Sequence, residues 1–248
     1  MAGFPNESAE YRAARDRLLE KEIWLRRAME EVAAARRALP QGGLLPQDYV
    51  FDCVDAGGKP RKVKFSELFA PGRDTLIVYN MMFPRHKNDD RAQPSTGPFA
   101  AMPRKETPCP SCTALLDQLD PAVKHLMPAG FSFAVIAQAP IERLASYATE
   151  RGWKHMRLLS SAHNSFKRDY HAEFEDGEQA PMLSVFRRGP DGIRHFWSSE
   201  MLFAPSDPGQ DPRHAGTIEP LWTLMDFTPE GRPDFDEQVE YQSESCCH

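Results

Sequence analysis

Long apolar runs are missing from this sequence, and its N-terminus has no leader-like character. No stretch approaches the roughly 18 consecutive apolar residues that a membrane-spanning helix requires. The first ten residues contain no apolar centre of the kind found in a secretory signal peptide. These absences predict a cytoplasmic protein without a membrane partner.

Positive charge is scarce relative to negative charge. The chain of 248 residues has 30 Lys and Arg against 36 Asp and Glu, which gives a formal net charge of -6. Such a balance argues against a general nucleic-acid binder, because nucleic-acid surfaces are themselves negative. A hydrophobic content of 41% in a chain of this length still suffices for one large core.

Several catalytic signatures are absent, and cysteine is rare. The sequence has no Gly-rich phosphate loop, no Gly-x-Ser-x-Gly elbow and no second Cys-x-x-Cys pair. The five cysteines are Cys53, Cys109, Cys112, Cys246 and Cys247. An odd set with one pair at three-residue spacing is not a disulfide framework. In a cytosolic chain, Cys-x-x-Cys indicates either a redox motif or half of a zinc site.

The Cys109–Cys112 pair opens a predicted helix. An apolar run at 76–83 lies upstream and is typical of a buried strand, while apolar residues at 115, 116, 119, 123, 126 and 127 share one helical face. Pro110 suits the first helical turn, because its missing N–H would have no partner there. The helix dipole and the free N–H groups favour a thiolate at this place, which lowers a cysteine pKa.

A dithiol at this spacing supports thiol–disulfide exchange without any cofactor other than its own redox-active disulfide. Cys109 is expected to attack a disulfide or peroxide, and Cys112 to resolve the intermediate. Zinc is the alternative, but it needs four ligands. The spare polar residues are His171, His195, Glu173 and Glu200, and a terminal Cys246-Cys247-His248 could also capture a metal. Because the second half of a zinc site is missing, we favour redox chemistry with no bound metal.

The chain divides into three parts. Residues 1–40 are predicted to form an amphipathic helix, residues 41–233 an α/β domain, and residues 234–248 a polar, disordered tail. The helix either forms a homodimer or packs on its own domain. Residues 84–108 are polar and include five prolines, so we expect a lid or a disordered insertion beside the cysteines.

The order of elements in the central part predicts the fold. Strands at 75–83, 131–137 and 156–160 alternate with helices at 109–127 and 141–151, and a hairpin follows over 181–197. Alternation of this kind implies parallel strands with right-handed crossovers, to which the hairpin adds antiparallel strands. We therefore predict an α/β fold, a thioredoxin-like mixed sheet flanked by helices, with an N-terminal helical extension.

Residues outside the cysteine pair are weaker candidates for the site. In thioredoxin-like folds a cis-proline before the apolar strand faces the dithiol, and Pro181 occupies that place; the alternative is a trans proline that starts a strand. His171 and His195 are possible proton donors or acceptors near the dithiol, but structural hydrogen-bond networks are the favoured interpretation.

Taken together, these segments resemble a bacterial thioredoxin-like family, domain of unknown function 899, which is related to thioredoxins and peroxiredoxins. The resemblance runs from the N-terminal helix to Arg232. It depends on the segments at 48–51, 76–79, 109–112, 158–161, 168–170, 183–187 and 224–232. It implies a thioredoxin-type role for Cys109, Cys112 and Pro181. Two departures are a longer connection over 84–107 and Pro108 where thioredoxins have Trp.

The expected function is that of a thiol–disulfide oxidoreductase or a peroxiredoxin-like thiol reductase that uses the Cys-x-x-Cys dithiol. Its substrate would be a protein disulfide, a small thiol or a peroxide. Two alternatives remain at this stage: a non-catalytic thioredoxin-fold binding or dimerisation module, and, less favoured, a metal-binding protein.

Overall fold

The computed structural model of the chain describes residues 3–55, 57–210 and 218–241. It divides into two compact units, Met1–Gly42 and Gly43–His248. The first unit consists mainly of one helix, α1 (Ala9–Arg37). Ser8 caps this helix by accepting a hydrogen bond from the backbone N–H of Tyr11 at 3.1 Å, and basic residues in the last turn complement the helix dipole. The helix has no buried residue.

The second unit contains a mixed sheet with helices between its strands. The strands are β1 (Val50–Val54), β2 (Pro60–Lys64), β3 (Thr75–Asn80), β4 (Phe131–Ala137), β5 (Arg157–Ser160), β6 (Met182–Gly189) and β7 (Gly192–Ser198). The helices are α2 (Pro110–Leu126), α3 (Ile141–Arg151), α4 (Phe166–Asp169) and α5 (Pro220–Met225). Short 3-10 helices cover Phe65–Leu68, Arg104–Glu106 and Glu200–Phe203.

The strand order is β2-β1-β5-β4-β3-β6-β7. Strands β3, β4 and β5 are parallel, because α2 and α3 provide the crossovers, whereas β6 runs antiparallel to β3 and β7 antiparallel to β6. This is the thioredoxin-like arrangement of a mixed sheet flanked by helices, and the predicted fold class is confirmed.

Side chains from the two faces of the sheet enter two separate hydrophobic clusters. Leu76 and Val78 of β3 belong to one cluster, together with the aromatic rings of Phe65 and Phe166. Tyr79 belongs to the other cluster, which also contains both cysteines of the pair and the apolar face of α2. The alternation along β3 therefore places the cysteines on the α2 side of the sheet.

Strand β3 is shorter than predicted, since it ends at Asn80 rather than at residue 83. The N–H of Met81 still donates to the carbonyl of Ile136 in β4 at 2.9 Å, and the backbone groups after it have partners outside the sheet. The N–H of Met82 donates to Cys112 Sγ at 3.4 Å, and the carbonyl of Phe83 accepts from the N–H of Ala139 at 2.7 Å. The end of the strand thus becomes part of the surroundings of the cysteines.

Residues 84–108 and the first part of the predicted tail are packed on the second unit. Within 84–108, Arg85, Phe99 and Thr107 are buried. In the predicted tail, Glu237 and Val239 are also buried, so residues 234–241 differ from the expected disorder. Val239 belongs to the same hydrophobic cluster as the cysteine pair. Burial of this apolar side chain stabilises the segment, which its polar composition did not predict. The rest of the predicted tail, 242–248, lies outside the described residues.

None of the helices in the described parts of the chain is both long enough and apolar enough to cross a membrane.

Candidate active site

The cysteine pair lies at the start of α2, directly after the chain returns from residues 84–108. Cys109 is the N-cap of α2, and Pro110 occupies the first helical position. The N–H of Cys109 donates to the carbonyl of Met82 at 3.0 Å, which attaches the helix start to the segment after β3. Both cysteines are free thiols and are fully buried.

The two thiols differ in their pKa. A hydrogen bond from Cys112 lowers the pKa of Cys109 and outweighs burial, which acts in the opposite direction; the charge of Arg91 lowers it further. Burial raises the pKa of Cys112 well above its usual range, and the neighbouring Cys109 adds to the increase. Cys112 Sγ also accepts a hydrogen bond from the hydroxyl of Tyr79 at 3.3 Å. Cys109 is therefore the thiol that ionises first.

Arg91 is the cation beside Cys109. Its Nη2 lies 3.8 Å from Cys109 Sγ, and its Nη1 donates to Ser111 Oγ at 2.8 Å. Asp89 holds the guanidinium with two hydrogen bonds, from Nε at 3.0 Å and from Nη2 at 2.8 Å. Burial alone would lower the pKa of Arg91, but the hydrogen bonds with Asp89 and the neighbouring Cys109 raise it. The guanidinium is thus permanently charged and fixed in direction.

Sequence reasoning missed Arg91. It lies within residues 84–108, which have no periodic pattern. The run Asp89-Asp90-Arg91 has no spacing that ties it to the cysteines. A charged residue becomes part of a site through the path of the chain, and that path is not visible in the local sequence.

The C-terminal segment of residues 237–241 packs against the start of α2. Glu237 Oε2 accepts a hydrogen bond from Ser111 Oγ at 2.9 Å and lies 3.6 Å from Arg91 Nη1. Glu219 lies nearby and is also buried; burial raises its pKa to about 7, and the charge of Glu237 contributes to the increase. Two carboxyl groups and a potential thiolate therefore share a weakly solvated region.

Lys167 of α4 is a second cation near the pair, and sequence reasoning missed it too. Its side chain is buried, and Nζ donates to the carbonyl of Met81 at 2.8 Å and to Gln179 Oε1 at 2.6 Å. Burial lowers its pKa to about 7, although the neighbouring Cys112 acts in the opposite direction. The peptide unit between Met81 and Met82 links Lys167 to Cys112: its carbonyl accepts from Lys167 Nζ, and its N–H donates to Cys112 Sγ.

Pro181 lies at the expected end of the sheet, but its peptide bond is not cis. It directly precedes Met182, which pairs with Asn80 at the end of β3 that leads to the cysteines. Among the described residues, the cis peptide bond is Phe83–Pro84, so the prediction of a cis bond at Pro181 is wrong. Pro181 starts a strand in the trans form, a common place for a proline that has no N–H to donate.

His171 and His195 line a different region of the molecule. They border a cavity of about 650 Å³ together with Tyr170, Phe174, Met182 and Glu200, and neither cysteine of the pair lines it. His195 Nε2 lies 2.8 Å from Ser198 Oγ, and burial lowers the pKa of this histidine. The structure does not bring these histidines together with the dithiol.

The three other cysteines of the chain are not part of the described site. Cys53 is buried on β1 in the cluster on the opposite face of the sheet. Cys246 and Cys247 lie outside the described residues. Within the parts of the chain that are described, no group of three or more His, Cys, Asp or Glu side chains could hold a metal ion.

Comparison with known proteins identifies the family. A sequence profile of the family described as "Bacterial protein of unknown function (DUF899)" matches residues 1–245 of the chain. No curated protein matches the sequence.

Solved structures with similarity to this chain include three from bacteria. Peroxidoxin BcpB of Mycobacterium tuberculosis is 17% identical, with 64% of this chain and 84% of that chain covered and a TM-score of 0.39. Reduced Prx3 of Vibrio vulnificus, in complex with hydrogen peroxide, is 13% identical, with 74% and 98% covered and a TM-score of 0.45. An uncharacterised conserved protein of Geobacillus kaustophilus is 16% identical, with 72% and 78% covered and a TM-score of 0.41. Because these TM-scores are below 0.5, the fold follows here from the strand order.

Proposed function

The chain belongs to the bacterial protein family DUF899, and we propose that it is a thiol–disulfide oxidoreductase that uses Cys109 and Cys112. One observation carries this proposal: Cys109 caps α2 with a fixed guanidinium 3.8 Å from its sulfur. A thiolate at that place is stabilised by the helix start and by a cation, which are the two features that make a cysteine reactive.

The reaction transfers two electrons from the dithiol to a substrate disulfide. The Cys109 thiolate attacks one substrate sulfur, forms a mixed disulfide and expels the other sulfur as a thiolate. Cys112 loses its proton and attacks Cys109 Sγ, which forms the Cys109–Cys112 disulfide and releases the second substrate thiolate. The protein is oxidised to the disulfide, and the substrate is reduced to two thiols after both thiolates are protonated.

The environment orders these two steps. Burial keeps the Cys112 proton in place at the start, and a negative charge on Cys109 holds it more strongly. When the mixed disulfide forms, Cys109 loses that charge, so one cause of the raised pKa of Cys112 disappears. Tyr79 and the N–H of Met82 then stabilise the thiolate of Cys112 through hydrogen bonds.

Trapping of the mixed disulfide tests the proposal. In a background with Cys246→Ser and Cys247→Ser, the Cys112→Ser protein should accumulate a stable adduct on Cys109 when it is mixed with glutathione disulfide. Cys109→Ser should form no adduct, and Cys53→Ser is the control with an unaffected cysteine pair. The intact protein mass and tandem mass spectra identify the adduct. Equal adduct formation by the Cys109→Ser and Cys112→Ser proteins would refute the assignment.

Peroxide reduction is a second candidate, and the complete burial of Cys109 favours it because only a small substrate reaches a covered thiol. The thiolate would attack the peroxide O–O bond and become a sulfenic acid, with hydroxide or an alkoxide as the leaving group, which then takes up a proton to give water or an alcohol. Condensation with the Cys112 thiol would then form the disulfide and release water. Peroxide consumption by the reduced protein in a single turnover, with loss in Cys109→Ser, separates this candidate from disulfide exchange.

We also propose that α1 mediates a homodimer. Tyr11, Leu18, Leu25 and Val32 recur every seven residues and are all about half exposed, between 47% and 52%. A seven-residue apolar repeat forms one of the two seam positions of a two-stranded coiled coil. The second position, three residues further on, holds Ala14, Lys21, Ala28 and Ala35. In sedimentation velocity, Leu18→Asp with Leu25→Asp should yield monomers. Ala13→Asp with Ala34→Asp, which adds the same charge off the repeat, should not; a monomeric wild-type protein contradicts the dimer.

A further inference from the structure

The chain's own residues 237–241 pack beside the start of α2, next to Cys109. Val239 is buried at 3% exposure in the same cluster as Cys109, Tyr147 and Leu115. Cys109 itself has no exposed surface in this arrangement. A segment close to the C-terminal end of the described chain thus lies beside the thiol that ionises first, in contact with Ser111 and Arg91.

Residues 237–241 are held through both main-chain and side-chain contacts. The carbonyls of Glu237 and Val239 accept hydrogen bonds from the Nη1 atoms of Arg91 and Arg151, at 3.2 and 2.9 Å. Neither Glu237 nor Val239 belongs to a helix or a sheet ladder. Main-chain contacts of this kind are available to any peptide in the same conformation, whatever its side chains.

The side-chain contacts define what such a peptide needs. Glu237 meets Ser111 and Arg91, Val239 enters the apolar cluster, and Glu240 Oε2 accepts hydrogen bonds from the N–H and Oγ of Ser95 at 2.9 and 2.5 Å. The surface therefore offers Arg91 and the Ser111 hydroxyl on one side of an apolar site, and the N–H and hydroxyl of Ser95 on the other. It is complementary to an acidic residue, an apolar residue and a second acidic residue.

We propose that this surface binds an acidic, non-helical peptide segment of a protein substrate, and that residues 237–241 occupy it as an internal competitor. The inference rests on the proposed oxidoreductase function, because it names the substrate class as a polypeptide disulfide. A bound segment of this kind places its neighbouring disulfide over Cys109. The substrate segment can then bind only when residues 237–241 leave the same surface.

The rate of Cys109 alkylation by iodoacetamide measures whether residues 237–241 control access to this thiol. Glu237→Gln with Glu240→Gln removes both charges of residues 237–241 without changing side-chain size. Both carboxylates accept hydrogen bonds that hold this segment in place, so we expect alkylation at least about tenfold faster than in the wild-type protein. The matched control is Glu175→Gln with Glu230→Gln, which removes two exposed acidic charges elsewhere and should leave the rate unchanged.

A synthetic peptide of residues 234–241, Asp-Phe-Asp-Glu-Gln-Val-Glu-Tyr, tests the binding surface directly. Added to the Glu237→Gln, Glu240→Gln protein, it should restore slow alkylation in a saturable manner. The same peptide with Gln at the positions of Glu237 and Glu240 should not. Val239→Ala, which loses only apolar contact, is a second variant that should also be alkylated faster.

Two results would overturn the inference. Unchanged alkylation in both variants would show that residues 237–241 do not control access, and fast alkylation without any effect of the peptide would show that the surface binds no peptide. Alkylation requires no redox turnover, so these results are independent of the oxidoreductase proposal. Failure of mixed-disulfide trapping with normal peptide protection would instead reject the proposed function alone.

Discussion

At the scale of single residues, the site depends on how one guanidinium is held. Arg91 is fixed by Asp89, touches Ser111 and lies 3.8 Å from Cys109 Sγ. Asp89 is itself held ionised: burial acts to raise its pKa, but the hydrogen bonds and positive charge of Arg91, together with the charge of Arg85, lower it overall. The pair therefore delivers a directed positive charge to a buried sulfur.

Replacement of Arg91 by Met should raise the pKa of Cys109, because the nearby positive charge that stabilises the thiolate is lost. The measurement is the pH midpoint of the thiolate absorbance, which does not depend on how easily reagents reach the sulfur. Disulfide exchange at neutral pH should slow by about tenfold, as expected for the loss of a close opposite charge. Arg104→Met, an exposed change in the same segment, is the control, and an unchanged midpoint in Arg91→Met contradicts the role.

The buried Lys167 should make the stability of the protein depend on pH. Burial lowers its pKa to about 7 from a usual 10.5, so between these two values the unfolded chain binds a proton that the folded protein does not. Stability should therefore rise with pH across this window, by at most about 1.4 kcal/mol per pH unit. Urea unfolding at successive pH values should show this rise in the wild-type protein and a flatter curve in Lys167→Met. An equal slope in both proteins would contradict the assignment.

At the scale of elements, α2 carries the dithiol at its N-terminal end and anchors a neighbouring loop further along the helix. Asp120 is buried, and its carboxylate accepts hydrogen bonds from the N–H groups of Lys154, His155 and Met156 at 2.8–3.2 Å. These three residues connect α3 to β5. The carboxylate therefore joins α2 to the edge of the parallel part of the sheet.

Asp120→Ala should lower the free energy of unfolding by about 1–3 kcal/mol, because it leaves three partly buried N–H donors without their acceptor. Asp120→Asn keeps one acceptor oxygen and should cost less. Equilibrium unfolding in urea measures both changes, and Lys124→Ala, an exposed change on the same helix, should be close to neutral. A loss in Asp120→Ala no larger than in Lys124→Ala would show that this contact does not stabilise the fold.

At the scale of the whole molecule, buried acidic groups near the C-terminal segment make stability depend on pH. Burial raises the pKa of Glu219 to about 7 from a usual 4.5, and Glu237 contributes. Between these values the folded protein holds a proton that the unfolded chain has lost. The contribution of Glu219 is therefore greatest at low pH and is lost as pH rises towards 7, opposite to the dependence expected for Lys167.

Glu219→Gln should remove the decline in stability between about pH 4.5 and 7 while the rise above pH 7 remains. Thermal or urea unfolding over this range, with Glu175→Gln as the exposed control, checks the prediction. The decline should persist in the control, because an exposed carboxyl has no comparable burial. A Glu219→Gln protein with the wild-type decline would show that another group causes it.

The sequence predicted much of the architecture. Helices α2 and α3 and strands β4 and β5 lie within a few residues of their predicted bounds, because their apolar patterns reflect which face is buried. Helix α1 was also predicted, although none of its residues is buried. The hairpin of β6 and β7 followed from its Gly-Pro-Asp-Gly turn. The errors arose where partners are distant: β3 ended early, Pro181 is trans, and Val239 is buried in a segment of polar composition.

What the sequence determined by itself is local: a cysteine pair at a helix start, after a buried strand, in a chain whose strands and helices alternate. Only the tertiary structure decided what surrounds the pair. Arg91 is 18 residues from Cys109, Glu237 is 126 from Ser111, and Lys167 is 86 from Met81. Periodicity records which residues face the core, but polar segments without a period meet only through the path of the whole chain. The cysteine motif could therefore be recognised in the sequence, whereas the positions of Arg91, Lys167 and residues 237–241 beside it could not.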